Sequence, residues 1–184
     1  MTSNASIKIK ELFEKYGSYD YIGENVSQLE HSIQCAMMAE KETNDNEVII
    51  AALLHDIGHL ISIEHNLEQI GTYGAHQHEI IGYNFAIKYG LGTKIAHLIK
   101  SHVITKRYLV SINDKYYNNL SNASKKTLEF QGGKLNNSEI ELFKNDPYYD
   151  INIKIRNYDD KAKLQNIKLT PLEYYLEMVD EIIY

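Results

Sequence analysis

The chain has 184 residues, which is enough for one domain with an apolar core that needs no disulfide or structural metal to stay folded. A formal net charge of −6 argues against a nucleic-acid-binding protein, because such proteins carry a concentrated basic face. Cys35 is the single cysteine, and no secretory leader or bilayer-length apolar run is recognisable, so we expect a soluble cytoplasmic protein. The sequence does not fix the oligomeric state, and a monomer is the expectation.

Helical spacing of apolar residues dominates the chain, and capping signals set the expected helix starts. Ser27 to Glu30 has the form of a capping box, which predicts a helix from about residue 28. A second helix is expected from Asp45 or Asn46 through Ile57, with Gly58 at or near its end.

The remaining expected helices follow the same signals. They span about 78–89, 93–108, 121–130 and 171–183, and the last is expected to have Thr170 as its cap and Pro171 at its first position. The Asn-rich stretch 113–122 is expected to form a loop. Together these elements predict a single all-α domain over residues 1–184.

Imidazole and carboxylate residues follow one another in an order typical of a two-metal site: His31, His55, Asp56, His78, His102 and Asp159. Asp56 lies at the end of the most apolar run, where an isolated carboxylate is too costly to leave unpaired, and a metal ion is the simplest partner for it and His55. Ligands of these types without thiolate suit iron, manganese or zinc. A carboxylate of Asp56 shared by two ions would hold them roughly 3.5–4 Å apart.

Helix periodicity supports this interpretation most clearly at His102. It follows Ile95, Leu98 and Ile99 at helical spacing, so its side chain is expected to face the core, with Lys106 one turn later near the same face. His97 falls on the opposite side and is expected to face solvent. A hydrogen-bonded core histidine is the alternative for His102 taken alone.

The other histidines leave alternatives open. His76 and His78 compete for one ligand position, and His78 is preferred because a helix is expected to begin there; His65 and His76 are expected to be exposed. His59 is one turn after His55 and is a candidate for substrate binding rather than metal binding.

Neutral hydrogen-bond donors recur on one face of the helix expected over 121–130 and its end: Ser124, Thr127 and Gln131. Their spacing is compatible with a wall of a binding site, and a plain solvated face is the alternative. Arg107 is expected to point outward.

The ordered metal residues resemble the HD-domain superfamily, whose pattern is a histidine, a His-Asp pair and a distant aspartate on an all-helical bundle. Further motifs are similar to one branch of it, the mixed-valent di-iron oxygenases of phosphonate catabolism. They include DYIGE at 20–24, QLEH at 28–31, AALLHDIGH at 51–59, QHE at 77–79, KRYL at 106–109, QGG at 131–133 and KIR at 154–156. The resemblance covers about residues 18–165 and implies an all-α HD-domain fold, with a C-terminal helix at about 171–183.

This resemblance implies a cofactor and its ligands. The cofactor would be two iron ions in a mixed-valent Fe(II)/Fe(III) pair, with dioxygen as co-substrate and Asp56 as the bridging ligand. The implied metal ligands are His31, His55, Asp56, His78, His102 and Asp159. Lys134 and Tyr158 depart from the family pattern, and neither is an implied ligand.

The resemblance also implies a substrate and the residues that bind it. The reaction would cleave the carbon–phosphorus bond of 2-amino-1-hydroxyethylphosphonate to give glycine and phosphate. Tyr21 and Glu24 would belong to a segment over the site, Glu24 meeting the amino group, and Lys106 would join them as a catalytic residue. The implied substrate-binding residues are Tyr21, Glu24, His59, Lys106, Ser124, Thr127, Gln131 and Arg156.

The main alternative is a metal-dependent HD-domain phosphohydrolase. In such an enzyme a metal-bound hydroxide attacks phosphorus, and the same cationic residues would hold a small phosphate ester. Dependence on dioxygen separates the two activities.

Overall fold

The computed structural model describes residues 2–21, 23–68 and 74–184 of the chain, and these residues form eleven α-helices with no sheet. In chain order the helices are α1 (Asn4–Tyr16), α2 (Gln28–Glu42), α3 (Asn46–Leu54), α4 (Ile57–Glu64), α5 (His78–Lys88), α6 (Thr93–Ile112), α7 (Asp114–Asn119), α8 (Asn122–Phe130), α9 (Asn137–Lys144), α10 (Tyr149–Lys161) and α11 (Leu172–Ile183). The prediction of an all-α domain is confirmed.

Several expected helices are present with the expected ends. The capping box of α2 forms, with Ser27 Oγ accepting from the Glu30 backbone and Glu30 returning a bond to the Ser27 backbone. Helices α5 and α8 match the expected ranges within one residue, and α6 extends four residues beyond the expected end. Ser121 caps α8 by accepting from the Ser124 backbone N–H.

The second expected helix is wrong in one respect, because it divides into two. Helix α3 ends at Leu54, and Asp56 has φ −102° and ψ 9°, which breaks the helical path before α4 begins. Gly58 is therefore inside α4 rather than at a helix end. The continuous apolar run concealed the break, since Ile57, like Leu54 before it, is buried.

Other differences fall in the C-terminal half. The expected loop at 113–122 contains the short helix α7, capped by the Asn113 side chain. Pro171 occupies the cap of α11 instead of its first helical position, and Thr170 is not the cap. Helices α1, α9 and α10 have no counterpart among the expected elements, although α10 carries Arg156 and Asp159.

The core lies where α2, α3, α5, α6 and α10 pack together, with α1 against α4 and α11. Its largest cluster of buried apolar residues draws on each of these helices, and Ile9, Leu12 and Phe13 of α1 belong to it. Within the described ranges no single helix combines the length and apolarity needed to cross a bilayer, and α3 and α4 meet that criterion only as a pair bent by 46°.

Gly58 permits the close approach of α4 and α5. A Cβ atom at this position would lie 1.9 Å from the carbonyl oxygen of His78. We therefore expect Gly58→Ala to force the two helices apart, to lower the free energy of unfolding by about 1–3 kcal/mol and to displace His78. Denaturant unfolding and bound-metal content measure the two effects.

Gly82→Ala is the matched comparison for this substitution. Its new methyl group would meet the Ile99 side chain at 2.8 Å, a contact that rotation of a side chain can relieve. If Gly58→Ala proved no more destabilising than Gly82→Ala, the proposed role of Gly58 would be contradicted.

Candidate metal centre and substrate cavity

The six predicted metal residues come together in the interior from five parts of the fold. His31 lies on α2, His55 and Asp56 in the break between α3 and α4, His78 at the start of α5, His102 on α6 and Asp159 on α10. All six side chains are buried. The helix break matters here, because it turns two consecutive residues toward one centre.

One group of donor atoms forms around one oxygen of Asp56. His31 Nε2 lies 3.2 Å from His55 Nε2, and His55 Nε2 lies 3.3 Å from Asp56 Oδ2. Asp159 Oδ1 completes the group, at 3.5 Å from His31 Nε2 and 3.8 Å from His55 Nε2. These four donors converge closely enough to hold one metal ion.

A second group forms around the other oxygen of Asp56. Its Oδ1 lies 3.4 Å from His78 Nε2 and 3.3 Å from His102 Nε2, and the two imidazole nitrogens are 2.9 Å apart. The carboxylate of Asp56 thus faces a different set of donors with each oxygen. This is the arrangement required of a carboxylate shared by two ions.

The tautomers of the imidazole rings show whether the donor atoms around Asp56 suit a cation. Backbone carbonyls lie 2.7–2.9 Å from the Nδ1 atoms of His31, His55 and His102, which keeps the proton of the neutral ring on Nδ1. The Nε2 atoms then present lone pairs, and in the His31–His55 pair two lone pairs face each other at 3.2 Å. A cation between them removes this repulsion, so the donor set fits metal ions.

The two buried carboxylates of the site, Asp56 and Asp159, also require positive charge nearby. Burial disfavours the charged form of Asp56, yet the positive charge of a protonated His55 beside it holds the pKa of Asp56 well below its usual range. Burial likewise opposes ionisation of Asp159, and Arg156 keeps its pKa low. Against its own burial, the pKa of His55 rises to about 9 beside these carboxylates. A metal ion bound here would supply the charge that a proton on His55 otherwise provides.

Metal binding should therefore stabilise the fold. We expect Fe(II), Mn(II) or Zn(II) at 100 times its dissociation constant to add about 2.7 kcal/mol, which for a domain of this size raises Tm by roughly 5–11 °C. Differential scanning fluorimetry of chelator-treated protein, with metals added back without oxygen, measures the shift. Ca²⁺ serves as the control because it prefers oxygen ligands. A Tm that none of the three transition metals moves would contradict a metal centre.

Arg156 holds Asp159 in place from the side away from the histidines. Its Nη1 lies 2.6 Å from Asp159 Oδ2, which leaves Oδ1 directed at His31 and His55. Its other donors reach Asp160 and the hydroxyl oxygen of Tyr116, the latter at 3.1 Å. Tyr116 in turn donates to Asp160 at 2.6 Å. The guanidinium is therefore fixed at the edge of the metal centre.

His59 approaches the second group of donors but is a poor metal ligand. The Ala75 backbone N–H donates to His59 Nδ1 at 3.1 Å, so the neutral ring carries its proton on Nε2, which lies 4.0 Å from Asp56 Oδ1. Burial, together with the charge of His78, lowers the pKa of His59 to about 3 and keeps the ring neutral. His59 can thus offer an N–H to a ligand beside the metal centre.

Tyr21 closes the first group of donors from outside. Its ring stacks on His31 with centroids 3.7 Å apart, and its hydroxyl donates to Asp159 Oδ1 at 3.1 Å. The described residues around it turn back sharply, because Tyr21 N–H donates to the Val26 carbonyl and Gly23 has φ +71°. A Cβ at Gly23 would lie 2.8 Å from Ala123, so this loop rests on the start of α8.

A cavity of about 210 Å³ opens beside the metal centre. Its lining includes all eight predicted substrate-binding residues: Tyr21, Glu24, His59, Lys106, Ser124, Thr127, Gln131 and Arg156. His31 and His55 are outside the lining, behind the four other metal residues. The donor face of α8 therefore belongs to a cavity, and the alternative of a purely solvated face is wrong.

Lys106 is the main cation of the cavity wall. The residue is only 3% exposed, and its ammonium donates to Thr127 Oγ1 at 2.9 Å. Burial, reinforced by Arg156, lowers the pKa of Lys106 to about 7. Gln131 Oε1 is buried in the same wall without a hydrogen-bond partner among the described residues. An anion with hydroxyl groups would satisfy both side chains.

Glu24 has a partner that the sequence did not reveal. Its Oε1 lies 2.6 Å from the ammonium of Lys163, just beyond the end of α10. Asp160 and Tyr116, which hold Arg156, were missed as well. The only sequence signal for Asp160 was its position next to Asp159, and Tyr116 carried none, because it lies in the stretch that was expected to form a loop.

The remaining histidine and basic residues mostly lie as expected. His65 and His76 are exposed. Arg107 points away from the cavity and donates to the Gly133 carbonyl at 3.0 Å. The expectation that His97 faces solvent is wrong in part, because it is half-buried and its Nε2 lies 2.8 Å from Asp146.

Comparison with known proteins identifies the family. Residues 29–129 match the HD domain. An uncharacterized protein of Acanthamoeba polyphaga mimivirus is 41% identical over 95% of this chain and 80% of its own length. The hydroxymethylphosphonate dioxygenase of Gimesia maris is 36% identical over 94% of this chain and 85% of its own length. The [1-hydroxy-2-(trimethylamino)ethyl]phosphonate dioxygenase (glycine-betaine-forming) of Leisingera caerulea is 31% identical over 94% of this chain and 87% of its own length. The chain therefore belongs to the HD-domain family, within the group that includes the hydroxyphosphonate dioxygenases.

Proposed function

We propose that this protein is a di-iron oxygenase that uses dioxygen to cleave the carbon–phosphorus bond of a small 1-hydroxyphosphonate. The observation that carries the proposal is the shared carboxylate of Asp56, with separate imidazole groups on its two oxygens, beside a cavity walled by Lys106 and Arg156. Dioxygenase relatives that act on hydroxyphosphonates support it.

The metal ligands follow the two donor groups. His31, His55, Asp56 and Asp159 would hold one iron, and Asp56, His78 and His102 the other. A mixed-valent iron pair would supply the one-electron chemistry with dioxygen that oxidation of the substrate requires.

The side chains of the cavity bind the substrate and exclude water. Lys106 and Arg156 would neutralise the phosphonate, and Thr127, Ser124 and Gln131 would orient it. His59 would donate its Nε2 proton in a hydrogen bond to the substrate. Because Tyr21 now bonds to Asp159 Oδ1 and covers His31, it must move before a ligand reaches the first group of donors.

For the substrate itself we propose 2-amino-1-hydroxyethylphosphonate, which would give glycine and phosphate. The support is Glu24, a carboxylate in the cavity lining that can accept hydrogen bonds from a primary ammonium. A second candidate is hydroxymethylphosphonate, which lacks the amine. It is favoured by the ion pair that Glu24 already makes with Lys163.

One assay tests the proposal. The protein is incubated with ferrous iron, air and either racemic 2-amino-1-hydroxyethylphosphonate or hydroxymethylphosphonate, and phosphate is measured together with glycine or formate. We expect phosphate and the carboxylic acid in equal amounts, and neither product after dioxygen is removed. Turnover of a phosphate ester that persists without dioxygen would instead establish the phosphohydrolase.

A further inference from the structure

We propose that Lys163 is a specificity-determining residue that competes with a substrate ammonium group for Glu24 and so disfavours aminated substrates. This inference rests on the proposed function and concerns the balance between its two candidate substrates. It starts from the 2.6 Å contact between Lys163 Nζ and Glu24 Oε1 at the cavity wall.

The backbone on both sides of Lys163 is anchored to α2. The carbonyl of Ala162 bonds with His31 Nδ1 at 2.9 Å. The backbone N–H and carbonyl of Leu164 pair with the Gln34 side-chain amide, both at 3.0 Å. Lys163 therefore extends from a fixed point next to the metal centre rather than from a free loop.

The lysine head is held at the cavity edge. Its Nζ lies 3.5 Å from Ser121 Oγ, the side chain that caps α8, and its side chain is 19% exposed, against 16% for Glu24. The pair is thus screened less than one on an open surface. Breaking it would cost more than breaking an exposed ion pair.

A bound ammonium would have to share Glu24 with Lys163. Oε1 is occupied by Lys163, so a substrate amine on Oε2 would bring two positive charges to one carboxylate. Two ammonium groups on the two oxygens of one partly buried carboxylate repel each other by several kcal/mol at most. Repulsion of this kind is a common source of specificity. A substrate without an amine meets no such opposition. Lys163 therefore acts against the amine, while Glu24 attracts it.

The test compares two substrates in matched variants. For each variant, kcat/KM is measured for 2-amino-1-hydroxyethylphosphonate and for hydroxymethylphosphonate, and the ratio of the first to the second is compared with wild type. We expect Lys163→Met to raise this ratio roughly tenfold or more, because it removes the competing charge. Lys163→Arg, which keeps the charge, and Lys161→Met, on the exposed end of α10, should leave the ratio near that of wild type.

A double variant separates specificity from a general structural effect. In Lys163→Met combined with Glu24→Gln, the carboxylate for which the two ammonium groups compete is gone, so the ratio should not rise above that of Glu24→Gln alone. A ratio that is unchanged or lowered in Lys163→Met would overturn the inference. A lowered ratio would mean that Lys163 prepares Glu24 for the amine.

A binding measurement tests the preference for the amine without requiring turnover. Calorimetry with the unreactive phosphonates 2-aminoethylphosphonate and methylphosphonate measures the same preference as a ratio of dissociation constants. If wild type cleaved neither substrate in air, the proposed function would fail, while a Lys163→Met protein that bound the amine relatively more tightly would still support the inference. Unchanged relative binding would overturn it.

Discussion

Asp56→Asn is expected to remove metal from both halves of the centre and to abolish turnover. The amide can direct only its oxygen, not its NH₂ group, at a cation, and it lacks the charge that each donor group requires. Loss of one partner from a buried charged pair costs about 3–5 kcal/mol, which as a loss of metal affinity corresponds to binding weaker by roughly 10²–10³-fold or more, and turnover disappears with the metal. Metal analysis of protein loaded with ferrous iron, together with phosphate release in air, measures both effects.

Two further variants distinguish a shared carboxylate from an ordinary ligand. His31→Ala removes a donor facing Asp56 Oδ2, and His102→Ala removes one facing Oδ1, so each should deplete chiefly one metal position. Asp56→Asn alone should deplete both. His65→Ala, an exposed histidine remote from the cluster, is the control. Asp56→Asn protein that retained its full metal content would contradict the shared role.

The sequence predicted the metal centre because local geometry constrains so much of it. Helix periodicity directs His102 inward, and a capping box fixes the start of the helix that carries His31. The order of the residues, matched to a family pattern, then linked helices far apart in the chain. The pattern implied that these residues lie close together, and the structure gives the distances between their donor atoms.

Other features depend on contacts that no local pattern encodes. The break at Asp56 interrupts a continuous apolar run, and just after it Gly58 permits the close approach of α4 to the backbone at His78, a contact between distant parts of the chain. Glu24 and Lys163 are 139 positions apart, and no local pattern links the one to the other. Tyr116 was concealed in an Asn-rich stretch whose composition is typical of loops.

Lys106→Met is expected to weaken binding of the phosphonate more than any other change in the cavity wall. Met keeps most of the apolar stem of Lys106 but removes the ammonium group that faces Thr127 Oγ1. A hydrogen bond to a charged group contributes about 1.5–3 kcal/mol, so KM should rise roughly 10- to 100-fold. Steady-state kinetics with the accepted hydroxyphosphonate, and inhibition by inorganic phosphate, measure the loss.

The pH dependence of KM gives this prediction a second signature. Because burial lowers the pKa of Lys106 to about 7, the free protein loses the lysine charge as the pH rises through that value. A dianionic phosphonate favours the charged form, so binding above that pH requires uptake of a proton, and KM should increase. Lys106→Met should remove this increase, whereas Lys100→Met, on the exposed side of the same helix, should retain it. An unchanged KM and pH profile in Lys106→Met would mean that Arg156 alone neutralises the phosphonate, even though its guanidinium is already paired with Asp159 and Asp160.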